Sequence, residues 1–491
     1  MSTGAPRIAV RASVGPPSAH GATPPARRGE IDRRRRVPFV SPRDAGGVPP
    51  EAGRGEPPAR PVRTRGGSVV LVESSDALPL VGIGISLRTG SLSDPVGKEG
   101  LARFMGRALR MGTTDLTGRA LEDAVDGLGA SLSISTGFNY VHLGGTVVAH
   151  NAEAFLELLG QILRRPAFRR ADIEQVRRET LGELASLCDD DRALVRRHFR
   201  RYAFHGHAYA RPTSGTRQSI VRIRRADIVR HHARHVTAPN LLVGLWGAID
   251  PRHALRLCNR HLGALPRRRV PAPRTPEPHL ERGRRIVLVD KPERTQTQIL
   301  IGTLGTRTRD PEHVPLVVAN TAFGGLFTSR LTNEVRAKRG WSYGASSGVS
   351  LNVTRDLWSM WTFPAAKDAR ACIELQLGLY ERWIASGLNA RELASAKRHI
   401  VKSHAFEVDT AAKRLERRLD EIAFALPRGY HDRFVPEVRR VTGRAAARAL
   451  RRRLSTRDLV IAVVATARTM LPELRTLPGI DRIDVVRFDD F

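Results

Sequence analysis

Arg103, Gly106 and Arg107 lie in one helix-like stretch, Gly100 to Arg110. Positions i and i+4 share a helix face, so this face presents two cations with a bare glycine between them. A guanidinium has no lone pair to donate and stays protonated. The face therefore offers neither a metal ligand nor a base. His231 and His235 have i, i+4 spacing on one predicted helix, with His232 between them and His205 and His207 nearby in sequence. No carboxylate with ligand-like spacing joins them, and a lone His pair is a weak zinc signal. They read as core or solvated histidines. Cys188, Cys258 and Cys372 are far apart and lack Cys-x-x-Cys spacing, which reads as three reduced thiols. No Gly-x-Ser-x-Gly elbow, P-loop or dinucleotide fingerprint is present.

The elements that must hold these residues fall into two similar series. In the first, Val69–Val72 and Leu80–Leu87 read as strands, followed by the helix at Gly100–Arg110. Leu121, Val125 and Leu128, then Phe155, Leu158, Leu159 and Ile162, have helical spacing, and strand character returns in Ser131–Ser135 and Val141–Val148. One long helix is predicted over 170–199 and another over 227–235, before the buried strand Leu241–Trp246. After a Pro- and Gly-rich stretch at 267–283 the pattern recurs. Ile286–Val289 and Gln298–Ile301 are strands, and Val314–Ala322, 368–386 and 390–406 are helices. The apolar strand ending at Ala465 mirrors the one ending at Trp246. The expected architecture is α+β: a duplicated pair of halves, each a mainly antiparallel sheet packed with helices. Its boundaries are 1–65 as a tail, 66–266, a linker at 267–284, and 285–491.

The formal charge of +32, with a pI near 11.4, would attract acidic partners. Residues 1–65 hold 13 arginines against five acidic residues, and 12 of the 31 prolines. Such a segment cannot bury enough apolar surface to order itself, and reads as a disordered basic tail or as an over-long start. Most of the excess charge lies beyond it, scattered along helical stretches without interleaved aromatics, so no specific nucleic-acid partner is expected. No apolar run is long enough for a transmembrane segment. Without a signal-peptide pattern the expected compartment is the cytoplasm, with the periplasm open if the start is misassigned.

Dispersed landmarks from about Ser68 to Ala465 resemble the pitrilysin/insulinase family of zinc metallopeptidases, and within it the mitochondrial processing peptidase type. They begin with Leu87–Ser91, Asp94-Pro95 and Gly97, and with the frame Gly100-Leu101-Ala102 … Gly112-Thr113. Pro166 and the helix 171–188 follow, then His207, Tyr209, Gly215, Thr216, Pro239-Asn240 and Gly247–Asp250. The second half adds Phe323-Gly324-Gly325, Ser329-Arg330-Leu331 and the stretch Arg336 through Gly340 to Tyr343. The resemblance implies that the frame carries an inverted H-x-x-E-H motif, whose chemical positions hold Arg103, Gly106 and Arg107 here. Glu183, 76 residues after Arg107, occupies the position of the third ligand. With one carboxylate and two cations the set fails on ligand count and charge, so no metal is expected in this chain and Glu183 is expected to pair with the arginines.

The resemblance also implies a role for Arg336 and Tyr343, which in the family contact substrate across the cavity from the zinc. A Tyr hydroxyl and an Arg can hydrogen-bond a scissile carbonyl and its developing oxyanion. The pair alternatively reads as inherited structure, with Arg336 in a helical ion pair and Tyr343 on a strand. Gly324 and Gly325 would let a peptide backbone approach, and read equally as a helix C-cap. The leading expectation is thus a pseudoenzyme: a non-catalytic, substrate-binding subunit of a heterodimeric peptidase. Its zinc would sit in a homologous partner and its substrate would be an unfolded peptide. A structural scaffold of the same fold, and a basic binder of nucleic acid or anionic surfaces, remain as alternatives.

Overall fold

The computed structural model describes residues 60–273 and 275–490. The tail expected over 1–65 lies outside them up to residue 59. Its last residues are described, and they already contain a strand. β1 (Val62–Arg63) pairs antiparallel with β2 (Val69–Ser74), so strand structure begins inside the span expected as tail.

Two six-stranded sheets repeat one topology. The first contains β1, β2, β3 (Leu80–Leu87), β4 (Ser133–Thr136), β5 (Val141–Val148) and β6 (Leu241–Gly247), in the order β1-β2-β6-β3-β5-β4. The second contains β7 (Arg284–Asp290), β8 (Gln298–Leu304), β9 (Ala345–Val349), β10 (Leu357–Thr362), β11 (Leu459–Ala465) and β12 (Arg482–Arg487), in the order β12-β7-β11-β8-β10-β9. β2 and β6 are parallel, as are β7 and β11, while the remaining three pairings inward from them are antiparallel in both sheets. Only the outermost strand differs: β1 runs antiparallel to β2, β12 parallel to β7. This is the duplicated α+β architecture that the two series of elements predict.

Each sheet buries one face under helices of its own half, forming two separate cores around Leu101–Leu109 and Phe155–Leu163 in one and His313–Gly324 and Ala369–Ser386 in the other. The opposite faces are covered by exchange. The helix Asp191–Ala203 leaves the first half and packs Leu194, Val195 and Phe199 against Val287, Val289, Leu300 and Val460 of the second sheet. The helix Ala411–Ala423 of the second half lays Leu415 on Val69, Leu71 and Leu242. Two polar contacts reinforce the exchange. Tyr140 Oη donates to the Ala423 carbonyl at 2.5 Å, and Arg414 Nε binds Glu73 at 2.6 Å.

The exchange explains a correction. The single helix expected over 170–199 is two, Arg170–Ser186 and Asp191–Ala203. Three consecutive aspartates follow the first. The middle one, Asp190, is extended, and its side chain accepts from the backbone N–H groups of Arg192 and Ala193. Such a cap starts a new helix in a new direction. The first helix stays with its own half, and the second crosses over.

Candidate functional site

The helix Leu101–Leu109 is built to turn one face inward and one toward a neighbouring helix. Asp94 holds its start: the two carboxylate oxygens accept from the backbone N–H groups of Gly100 and Ala102, each at 2.8 Å. Gly100 itself has φ +91° and lies against Gly215, where a β-carbon would stand 2.9 Å from that residue's nitrogen. Leu101, Ala102, Phe104, Met105, Ala108 and Leu109 are buried in the first core. That leaves Arg103 and Arg107 facing the helix Arg170–Ser186.

There they meet Glu183. Arg103 Nη2 lies 3.0 Å from one carboxylate oxygen and Arg107 Nη1 2.6 Å from the other. The second nitrogen of Arg107 binds Glu179 at 2.8 Å. Glu179 was not foreseen as part of the cluster, although its place one turn before Glu183 puts it on the same helix face. Gly106 is buried against the sheet. A β-carbon there would stand 3.3 Å from Ile134 Cγ2 and from Thr136 Oγ1, and 3.4 Å from Val141 Cγ1. A side chain at this position would push Ile134 and Thr136 back by a few tenths of an ångström, so the glycine lets β4 and β5 pack close to the helix. Zinc, which the resemblance implies for this helix, does not fit: both nitrogen positions are guanidinium ions, and their carboxylate partner is already engaged.

The histidines do not assemble into an alternative centre. His231 and His235 are buried with ring centroids 4.5 Å apart, and His231 Nε2 reaches Thr89 Oγ1 at 3.4 Å. Burial pushes His231 down to about 3 and His235 down to about 4, so both are neutral over the working range. His232 Nε2 lies 2.9 Å from the Leu163 carbonyl. His205 is on the surface beside Glu281, and His207 binds the Pro276 carbonyl in the connecting segment. Among the described residues no three His, Cys, Asp or Glu side chains converge as a metal site. Cys258 and Cys372 are buried in the two cores, where burial raises both thiols.

The structure does bring Arg336 and Tyr343 together. They line one open pocket of about 390 Å³ with Phe327 and Thr332. Arg336 lies in the stretch Asn333–Ala337, where the helix widens: the N–H of Lys338 reaches back five residues to the Asn333 carbonyl at 3.0 Å. Such π-type turns are rare and concentrate at functional sites. Upstream, Arg330 anchors this turn on Glu392 at 2.8 Å, and Thr332 Oγ1 donates to the Ala345 carbonyl at 2.9 Å. Downstream, Gly340 adopts φ +64°, and Ser342 Oγ both donates to the Gly344 carbonyl and accepts from the Phe363 N–H. Tyr343 lies between these fixed points, in an irregular segment before β9 and not on a strand, and is 85% exposed.

Arg336 is not in a helical ion pair. Lys338 and Arg339 both bind Glu334, whereas among the described residues no carboxylate pairs with Arg336. Its guanidinium stacks over Phe327 instead, 5.2 Å from the ring centre. Phe327 is 81% exposed, and an aromatic two residues after a double glycine was the available sequence signal. Gly324 ends the helix His313–Gly324 and Gly325 caps it. A β-carbon on Gly324 would stand 2.3 Å from Ser347 Oγ, so this glycine serves the approach of the helix to β9.

Comparison with known proteins bears on the family and the fold. Residues 69–217 match the family described as Insulinase (Peptidase family M16), and residues 222–400 match the Peptidase M16 inactive domain. An uncharacterized zinc protease of Mycobacterium leprae is 27% identical over 288 residues, covering 58% of this chain and 64% of that protein, so the chain spans less than two thirds of that relative. The non-peptidase homolog YmxG of Helicobacter pylori is 21% identical over 402 residues, covering 81% of this chain and 91% of its own length. A crystal structure of a peptidase M16 inactive domain from Pseudomonas fluorescens superposes with a TM-score of 0.77 at 22% identity, covering 83% of this chain and 98% of the other.

Proposed function

This chain belongs to the insulinase family, peptidase family M16, as a non-catalytic member, and on that premise we propose that it is the substrate-binding subunit of a two-chain peptidase. A homologous partner with an intact H-x-x-E-H helix carries the zinc, and the two chains handle an unfolded peptide between them. Arg336 and Tyr343 reach the peptide held at the partner's metal, where they bind its backbone and the oxygen that gains charge during hydrolysis. The observation that carries this reading is the contrast between two arginine sites. At Arg103 and Arg107 the charges are consumed by Glu183 and Glu179. At Arg336 the charge is held on an exposed aromatic, in a pocket, beside an exposed tyrosine.

The division into a first half at 66–266, a connecting segment and a second half at 285–491 is part of the proposal. Among the described residues, neither helix nor strand falls between Leu262 and Arg284. The experiment is co-purification with a zinc-bearing homologue, then peptide hydrolysis by the assembled pair. Arg336→Ala and Tyr343→Phe should each lower kcat/KM, by roughly 10²-fold where an oxyanion donor is lost, while assembly is retained. Equal activity of parent and variants in the assembled pair would reject the assigned role.

A further inference from the structure

A second cavity, of about 590 Å³, opens where the two halves and their connecting segment meet. Its size lies within the range of small-molecule sites, roughly 300–1,000 Å³. Three arginines from separate parts of the chain line it: Arg63 on β1, Arg88 just after β3, and Arg269 in the connecting segment. Among the described residues no carboxylate lines it. Asp420, whose charge reaches Tyr140 on the wall, is not among the lining residues, and Tyr140 is committed to the Ala423 carbonyl. Two buried polar atoms at this cavity have no hydrogen-bond partner among the described residues. They are Arg88 Nε, from the first half, and Thr354 Oγ1, from the loop between β9 and β10 of the second.

Orphaned buried donors are costly and uncommon, so each calls for an explanation. Here one account serves both. We propose that this cavity binds a small oxyanion, a phosphate or carboxylate group, with Arg88 and Thr354 as donors from opposite halves and Arg63 and Arg269 as flanking charge. Guanidinium groups present donors in a fork that matches the oxygens of either anion. A ligand held this way bridges the two halves directly, beside the Tyr140 contact that already joins them, and stabilises their arrangement by mass action.

The test is calorimetric titration of the full chain with inorganic pyrophosphate and, separately, with succinate, each at two salt concentrations. The expected result is saturable one-site binding of at least one probe. Pyrophosphate alone would point to a phosphate ligand and succinate alone to a carboxylate. Arg88→Gln and Thr354→Val should each weaken Kd tenfold or more, while Arg451→Gln, an exposed arginine in a separate helix, should leave it unchanged. Arg269→Gln, on the exposed connecting segment, gives the same reading without touching either core. The inference is overturned if neither probe saturates, if Arg451→Gln weakens binding as much as Arg88→Gln, or if the cavity variants bind like the parent. The last two would mean that the overall positive charge attracts the anion without a site.

Discussion

Glu183→Gln asks whether the Arg103/Arg107 face is an ion-pair cluster or a metal site. In the folded chain Glu183 accepts from Arg103 at 3.0 Å and from Arg107 at 2.6 Å. The side chains are partly open, 23% for Arg107 and 46% for Glu183, so each contact contributes about 0.2–1 kcal/mol and not more. Neutralising Glu183 also leaves two guanidiniums at i and i+4, whose repulsion adds roughly 0.2–0.5 kcal/mol. Glu179 still holds Arg107 at 2.8 Å and limits the damage. The sum is a loss of about 1–2 kcal/mol at low ionic strength, read as a drop of about 2–4 °C per kcal/mol for a melting unit of roughly 150–250 residues. Because the pairs are exposed, the difference should shrink in 1 M salt, where the Debye length is about 3 Å. The assay is thermal unfolding of parent and variant at both salt concentrations, with EDTA and with added zinc. The difference should be the same in both additives. If it disappears in EDTA, or if zinc stabilises the parent and not the variant, Glu183 is a ligand and the ion-pair reading is wrong.

Two further outcomes concern the fold. Burial holds His231 at about 3 and His235, His198 and His313 at about 4, against about 6.5 in the unfolded chain. Their contribution is therefore complete above pH 6.5 and declines as the pH falls toward the folded values, by up to about 1.4 kcal/mol per pH unit per histidine. Asp94 and Asp420, raised by burial to about 7 and about 6, act in the opposite sense, so the informative quantity is the variant's difference from the parent. Melting temperature between pH 7 and pH 4.5 should decline less steeply in His235→Gln, and an unchanged slope would count against a neutral buried imidazole there. Gly324→Ala places a β-carbon 2.3 Å from Ser347 Oγ. It should destabilise by about 1–3 kcal/mol in denaturant unfolding, as overpacking does; a neutral effect would count against a packing role for this glycine.

The halves were legible because periodicity survives in their interiors. Leu80–Leu87 and Val141–Val148 form strands at the expected residues, since their alternation meets a helix layer on one face. β9 was not foreseen: Ala345-Ser346-Ser347-Gly348-Val349 has little β-branched content, and its register comes from β10 and from Asn320, whose side-chain amide donates to the Ser347 carbonyl. The helix Ala411–Ala423 escaped for a related reason. It is rich in Arg and Glu, and its thin apolar stripe makes sense only once Leu415 is seen lying on the other half's sheet. The arginine cluster was half legible. Type and spacing identified Arg103 and Arg107, and the family resemblance pointed to Glu183, but that Gly106 lets β4 pack close to the helix depends on the distance between two elements far apart in sequence.

The two arginine sites bear on whether the chain lost a function or divided one. A helix that had only lost metal ligands would leave Glu183 as a carboxylate without a counter-charge. Here both positions carry cations that reach it, and Gly106 lets the sheet pack close to the helix, so the charges on this partly exposed face are mutually satisfied. Arg336 calls for a stricter standard. The chain has 81 Lys and Arg against 49 Asp and Glu, so arginines without a carboxylate are ordinary on its surface. What separates Arg336 from that background is its setting: a widened helical turn, a stack on an exposed Phe327, and a pocket shared with an exposed Tyr343. Large apolar rings left in water beside an uncommitted cation favour a surface that another chain covers. An arginine–glutamate cluster at the ligand positions, together with this surface, is what the proposed division of labour requires.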